Sequence, residues 1–390
     1  MLKSLKALAL AGAMMSCAWP CAAQTPGAFV EVPGGKLWYE TCGSGPETLV
    51  LIHDGVLHSV GWDDVWPALC RSFRVVRYDR RGYGRSPEAK DAYSRLDDLQ
   101  AVMDAAAVKR AVLVGASNGG GLAVEFALSH PDEVDRLILV GPALSGIPPS
   151  KYFVDRQNEL GARMARLDFL GAIKGSWLFA PGDDADAARL LKLEIASLHD
   201  LTHKDPATPP PLVAGRLSDI RVPTLIVTGE YDAADNQAQA GVAEYAIPGA
   251  TRVVIRNAGH LVYMSRPGEF VDLVSRFASS VRTPPPGAEA MLRGAIEGLR
   301  QGAPDLALFD PPAASALRSQ VVGIKASLAG FGPIRSVAFM GEGPGGADIF
   351  IVSYEGGALD WRIRLGPDGK IADLFYKSLP AGAAGSTPPP

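Results

Sequence analysis

The chain has 390 residues, 38 Lys+Arg against 42 Asp+Glu, and a formal net charge of −4. With 47% hydrophobic and 21% charged residues it has the composition of a globular protein, which excludes a mainly disordered chain. A pI near 5.9 leaves no basic footprint for nucleic acid, and no apolar run is long enough to cross a bilayer.

Residues 1–23 read as a secretory signal. Lys3 and Lys6 supply the positive start, 7–19 an apolar stretch too short to span, and Cys21-Ala22-Ala23 the small residues before cleavage. A lipoprotein signal ending at Cys17 is the lesser alternative, because Met14-Met15-Ser16 fits its usual preceding residues poorly. The expected location is therefore periplasmic or secreted. Cys42 and Cys70 remain after cleavage, and an exported compartment permits them to pair; two buried thiols are the competing reading.

Residues 24–282 read as one α/β domain. Buried parallel strands are expected at 48–52, 73–78, 111–114, 137–140, 224–228 and 252–256, each a short aliphatic or β-branched run. Helices are expected between them, at 91–107 and 119–129 among others. Alternating strands and helices predict a doubly wound parallel sheet. The alternation breaks over about 145–222, read as a helical cap over the carboxyl edge of the sheet. Thr283 to Pro286 read as a stiff linker. Residues 287–379 then give two helices and four strands, a small α+β domain, before a tail at 380–390 expected to be disordered.

The chemistry gathers around Gly115-Ala116-Ser117-Asn118-Gly119, a G-x-S-x-G run between a strand and a helix. That turn presents a serine hydroxyl at a helix N-terminus, where amides favour developing negative charge. Serine needs a base. Of six histidines, His260 follows the last strand of the sheet, where α/β sites assemble. Asp232 follows the strand at 224–228 and is the expected carboxylate partner, with Glu230 and Asp235 as rivals. The Asn118 amide and that of Gly55 are the expected oxyanion donors, with the Val56 amide as a fallback. Val56, Trp177, Phe179 and Leu261 are the expected pocket residues, although packing within the cap explains the aromatic pair equally well.

His53-Asp54-Gly55 with Ser59 and Trp62, then 79–86, 115–120, Asp232 and Gly259-His260 fall in an order that resembles the α/β-hydrolase family in its capped form. The resemblance spans about 29–281. It implies Ser117 as nucleophile, Asp232 as acid, His260 as base, a small acyl substrate and no cofactor or metal. The expected activity is hydrolysis of an ester, lactone or similar acyl compound. An aminopeptidase or amidase, or a binding protein that uses the cap pocket without catalysis, are the alternatives. Asp54 departs from the family, which usually carries Gly there; a carboxylate beside an oxyanion hole is expected to turn away or to pair with an arginine.

His199 and His203 have metal-ligand spacing, but a polar face at the end of a cap helix accounts for them. The C-terminal region loosely resembles cystatin-like or nuclear-transport-factor-2-like modules, which implies an accessory role.

Overall fold

Two strands open the fold, β1 (Gln24–Val32) and β2 (Gly35–Cys42), paired antiparallel. Then come β3 (Thr48–Ile52), β4 (Arg74–Tyr78), β5 (Ala111–Ala116), β6 (Val134–Val140), β7 (Thr224–Gly229) and β8 (Thr251–Ile255). In this computed structural model, which describes residues 24–174, 176–196, 205–279, 286–343 and 345–378, they form one eight-stranded sheet. Its order is β1-β2-β4-β3-β5-β6-β7-β8, antiparallel as far as β4 and parallel from there on. The signal at 1–23, the linker through residue 285 and the tail from 379 lie outside the described residues.

The parallel strands are apolar on both faces because both faces are covered. Leu49 and Leu51 of β3 face one core while Val50 and Ile52 face the other, as the two-residue period of a strand requires. Helix α1 (Trp66–Ser72) covers the first face. Helices α2 (Arg95–Ala105) and α3 (Asn118–Ser129) cover the second. Helix α2 is shorter than the expected 91–107. Ser94 caps it by accepting the Asp97 amide at 3.1 Å, and Ala107 leaves helical geometry at φ 51°.

The cap holds α4 (Lys151–Ala165), α5 (Phe169–Lys174) and α6 (Asp184–Ala196). The chain then re-enters the sheet and continues with α7 (Ala234–Ala246) on the second face, then α8 (Val262–Ser265) and α9 (Pro267–Ala278) on the first. His199 and His203 lie outside the described residues. Cys42, the last residue of β2, and Cys70 in α1 are joined by a disulfide, with Cα atoms 5.4 Å apart.

The C-terminal unit packs α10 (Ala288–Gln301) and α11 (Pro311–Leu328) on a four-stranded antiparallel sheet. Its strands are β9 (Ile334–Gly343), β10 (Ala347–Tyr354), β11 (Gly357–Leu365) and β12 (Ile371–Ser378), adjacent in sequence order. Trp361 fills the core beneath the helices and donates its indole N–H to the Tyr354 hydroxyl at 2.9 Å. The unit docks on the turn between α7 and β8. Buried Asp360 pairs with Arg362 and Lys377, whose side chains donate to the Ala250 carbonyl (2.7 Å) and the Glu244 carbonyl (2.5 Å).

Candidate active site

The candidate catalytic residues and oxyanion donors lie past the carboxyl ends of parallel strands. After β3 comes the loop 53–57, after β5 Ser117, after β6 Gly141, after β7 Asp232 and after β8 His260. Ser117 has φ 51° and ψ −116°, a conformation that costs a non-glycine residue about 1–3 kcal/mol. The surrounding backbone imposes it: the Ser117 amide donates to the Val140 carbonyl at 2.8 Å, and the Ser117 carbonyl accepts from Gly120, Gly121 and Ala143. Gly115 and Gly119 pass so closely that a Cβ on Gly115 would sit 2.3 Å from the Gly119 carbonyl oxygen.

His260 and Asp232 are buried together. The imidazole Nδ1 is 3.0 Å from both carboxylate oxygens, so Nδ1–H donates to Asp232 and Nε2 is the nitrogen left for chemistry. Asp232 Oδ1 also accepts from the Ala233 amide and from Asn236 Nδ2, each at 2.7 Å. Burial works against a charged imidazole. The charge and hydrogen bond of Asp232, with a further pull from Asp54, outweigh it and hold His260 above its usual 6.5. Gly141, at φ 47°, makes room for the pair, since a Cβ there would meet Asp232 Oδ2 at 2.7 Å and His260 Nδ1 at 2.8 Å. The rivals of Asp232 are engaged elsewhere. Glu230 accepts from the Asn257 amide, and Asp235 from the amide and hydroxyl of Ser150.

The base loop is tied to the cap. The His260 and Leu261 amides donate to the carbonyls of Trp177 (2.9 Å) and Leu178 (3.1 Å). A Cβ on Gly259 would meet the Leu178 backbone at 2.6 Å, so this position holds glycine.

The loop after β3 is shaped from inside. His53 Nε2 accepts the Arg80 amide at 3.0 Å, so its Nδ1–H donates to the Asp54 carbonyl at 2.7 Å. Burial and the Arg80 charge keep His53 neutral, well below its usual value. Asp54 does turn its carboxylate away, but into its own loop rather than onto an arginine. Oδ1 accepts from the amides of Val56 and Leu57, and Oδ2 accepts the Tyr263 hydroxyl. Arg80 instead donates to the Asp54 backbone carbonyl at 2.6 Å. The Val56 amide is therefore occupied. Among the described residues, no group accepts from the Gly55 or Asn118 amides.

Ser117, His260, Gly55 and Asn118 line one cavity of about 640 Å³ roofed by the cap, and Val56 and Trp177 belong to its wall. Phe179 and Leu261 do not. Both are buried instead in the core on the first face of the sheet. Asn236, Tyr263 and Gly141 escaped the sequence reading. Nothing in their local sequence marks them, because each acts through a contact made only in the folded chain. The described residues contain no cluster of three or more His, Cys, Asp or Glu side chains suited to a metal ion.

A doubly wound sheet with its polar residues converging on the strand ends defines a hydrolase scaffold of the α/β type. The profile of the alpha/beta hydrolase family matches residues 49–273, and the chain belongs to that family. It is 28% identical over 266 residues to the Escherichia coli 2-hydroxy-6-oxononadienedioate/2-hydroxy-6-oxononatrienedioate hydrolase, covering 62% of this chain and 90% of that one. Among solved structures it is similar to Est816, an N-acyl homoserine lactone degrading enzyme. The identity is 30%, over 64% of this chain and all of that one, with a TM-score of 0.52. It is also similar to the carboxylesterase CesB of Bacillus subtilis, at 27% identity over 65% of this chain and 91% of that one, with a TM-score of 0.55.

Proposed function

We propose that this chain is an exported serine hydrolase that cleaves a small ester, lactone or related acyl compound. The observation that carries the reading is the convergence on one cavity of a strained serine, a histidine oriented by a buried carboxylate, and two amides with no acceptor among the described residues. In this reading Ser117 Oγ attacks the substrate carbonyl carbon while His260 Nε2 takes its proton. The Gly55 and Asn118 amides donate to the oxyanion, and Asp232 stabilises the imidazolium. His260 then protonates the leaving oxygen as the tetrahedral species collapses to an ester on Ser117. Water repeats the sequence and releases the acid. The esterase and lactonase neighbours support this substrate range, and the Cys42–Cys70 bond supports an oxidising destination.

The protein should be labelled by a fluorophosphonate probe and turn over short p-nitrophenyl esters. Ser117→Ala should do neither, with kcat down at least about 1,000-fold. Wild type that neither labels nor hydrolyses any ester would overturn the reading. Faster cleavage of aminoacyl p-nitroanilides than of esters would move it to an amidase.

A further inference from the structure

The cavity changes chemistry along its length. One face of α3 lines it, through Asn118, Gly121, Leu122 and Glu125, the spacing of a single helical face. Glu125 lies eight residues beyond Ser117, about 12 Å along the helix. Much of the remaining wall is apolar, with Leu122, Leu144 and Ile147 and, from the cap, Phe153, Leu160 and Ile173, although Gln157 and Ser176 also line it. Arg95, Ser145 and Gln239 line the same cavity, and Arg95 and Ser145 both act on the Glu125 carboxyl.

This polar end has unused bonding capacity. Gln239 Oε1 already accepts the Leu144 amide at 2.7 Å, which leaves its NH2 group. Arg95 is held by Asp205 through Nη2 at 2.6 Å, so the two charges cancel, and its buried Nε has no acceptor. Ser145 donates its own proton to the Pro211 carbonyl at 2.6 Å. Glu125 is buried and forms no ion pair among the described residues. Burial lifts its carboxyl to about 7, against the smaller opposing pull of the Arg95 charge. A buried carboxyl with no ion-pair partner is costly, and a ligand group that donates to it offsets the cost.

We infer that Glu125, with Arg95, Ser145 and Gln239, forms a polar subsite that takes a hydroxyl tail, which donates to Glu125 and accepts from the Gln239 NH2 group, carried by the substrate at the far end of an apolar chain. This deepens the hydrolase reading and rests on it for the placement of the scissile bond at Ser117. A second carboxylate on the substrate is disfavoured, because it would face Glu125.

The test uses matched p-nitrophenyl and n-alkyl esters whose chain, on the acyl or the alcohol side, ends in methyl, hydroxyl, ammonium or carboxylate. Turnover is read on wild type, and binding of the same compounds is read by calorimetry on Ser117→Ala. In one series the hydroxyl tail should exceed methyl by about 10- to 100-fold and exceed ammonium and carboxylate as well. Adding Glu125→Leu should bring the tails to within threefold of one another. Glu125→Gln, nearly isosteric and the safer variant to fold, retains an acceptor and should keep the hydroxyl preference. Equal or better binding of the methyl tail in both series, or a preference that survives Glu125→Leu, overturns the subsite. Tail-selective binding to Ser117→Ala with no turnover by wild type supports the subsite and overturns the hydrolase reading alone.

Discussion

Both carboxylate oxygens of Asp54 are engaged, one by the amides that follow it and one by Tyr263, three residues after His260. The contact joins the loop that carries the Gly55 amide to the loop that carries the base, so a single side chain spaces donor and base. Its charge also contributes to holding His260 above 6.5. An Asn in its place retains an oxygen for the Val56 and Leu57 amides and turns an N–H₂ to the Tyr263 oxygen. Asp54→Asn therefore removes the charge while keeping the shape. The charge favours the imidazolium, so its loss lowers the His260 value and shifts the acidic limb of kcat/KM to lower pH. Tyr263→Phe keeps the charge and loosens the loop, and should lower kcat about tenfold with little change in KM. Steady-state pH profiles of the two variants separate charge from position. A limb that moves equally in both would contradict this assignment.

Among the elements, β6 is the one whose end residue shapes the site without touching substrate. Gly141→Ala places a methyl against the Asp232–His260 pair and forces an unfavourable φ, at a cost of about 1–2 kcal/mol. Activity should fall 10- to 100-fold, and urea denaturation should show the loss of stability. The elements also show where sequence pattern carries information. Strands β3 to β8 were readable because runs such as Leu49–Ile52 are apolar on both faces. Strand β1 opens with polar residues, Pro26 and Gly27 and holds only a short apolar run, and α5 has only six residues, below the length at which a helical period can be recognised. Ser117 was readable from a local turn, and His260 and Asp232 from chain order. Tyr263 was not, because its partner Asp54 lies 209 residues away in sequence. Phe179 and Leu261 looked like pocket residues because an apolar side chain beside a site has the same composition whether it lines the cavity or lies beneath it.

On the scale of the whole molecule, the C-terminal unit meets the turn before β8, whereas His260 follows the other end of that strand. Five residues of strand, about 16 Å, separate the two, so an accessory role by shielding the cavity does not follow from this docking. The junction depends on Asp360, which is buried between Arg362 and Lys377. Asp360→Ala leaves two cations uncompensated and should cost about 3–5 kcal/mol, seen as an earlier separate transition of the C-terminal unit in calorimetry. A single unchanged transition would count against that role. The Cys42–Cys70 bond closes a 28-residue separation. By chain entropy the Cys42→Ser, Cys70→Ser double variant should lose about 3–4 kcal/mol in urea denaturation.

The amide bonds from the base loop to Trp177 and Leu178 also set how this fold can be recombined. The cap is not detachable at the two points where the chain leaves and rejoins the sheet, because residues 176–179 belong mechanically to the base loop. A chimera that exchanges substrate range with another capped hydrolase should graft α4 and α5 and retain the recipient's 176–179. A junction placed outside that strap would import a foreign support for His260 together with the foreign roof.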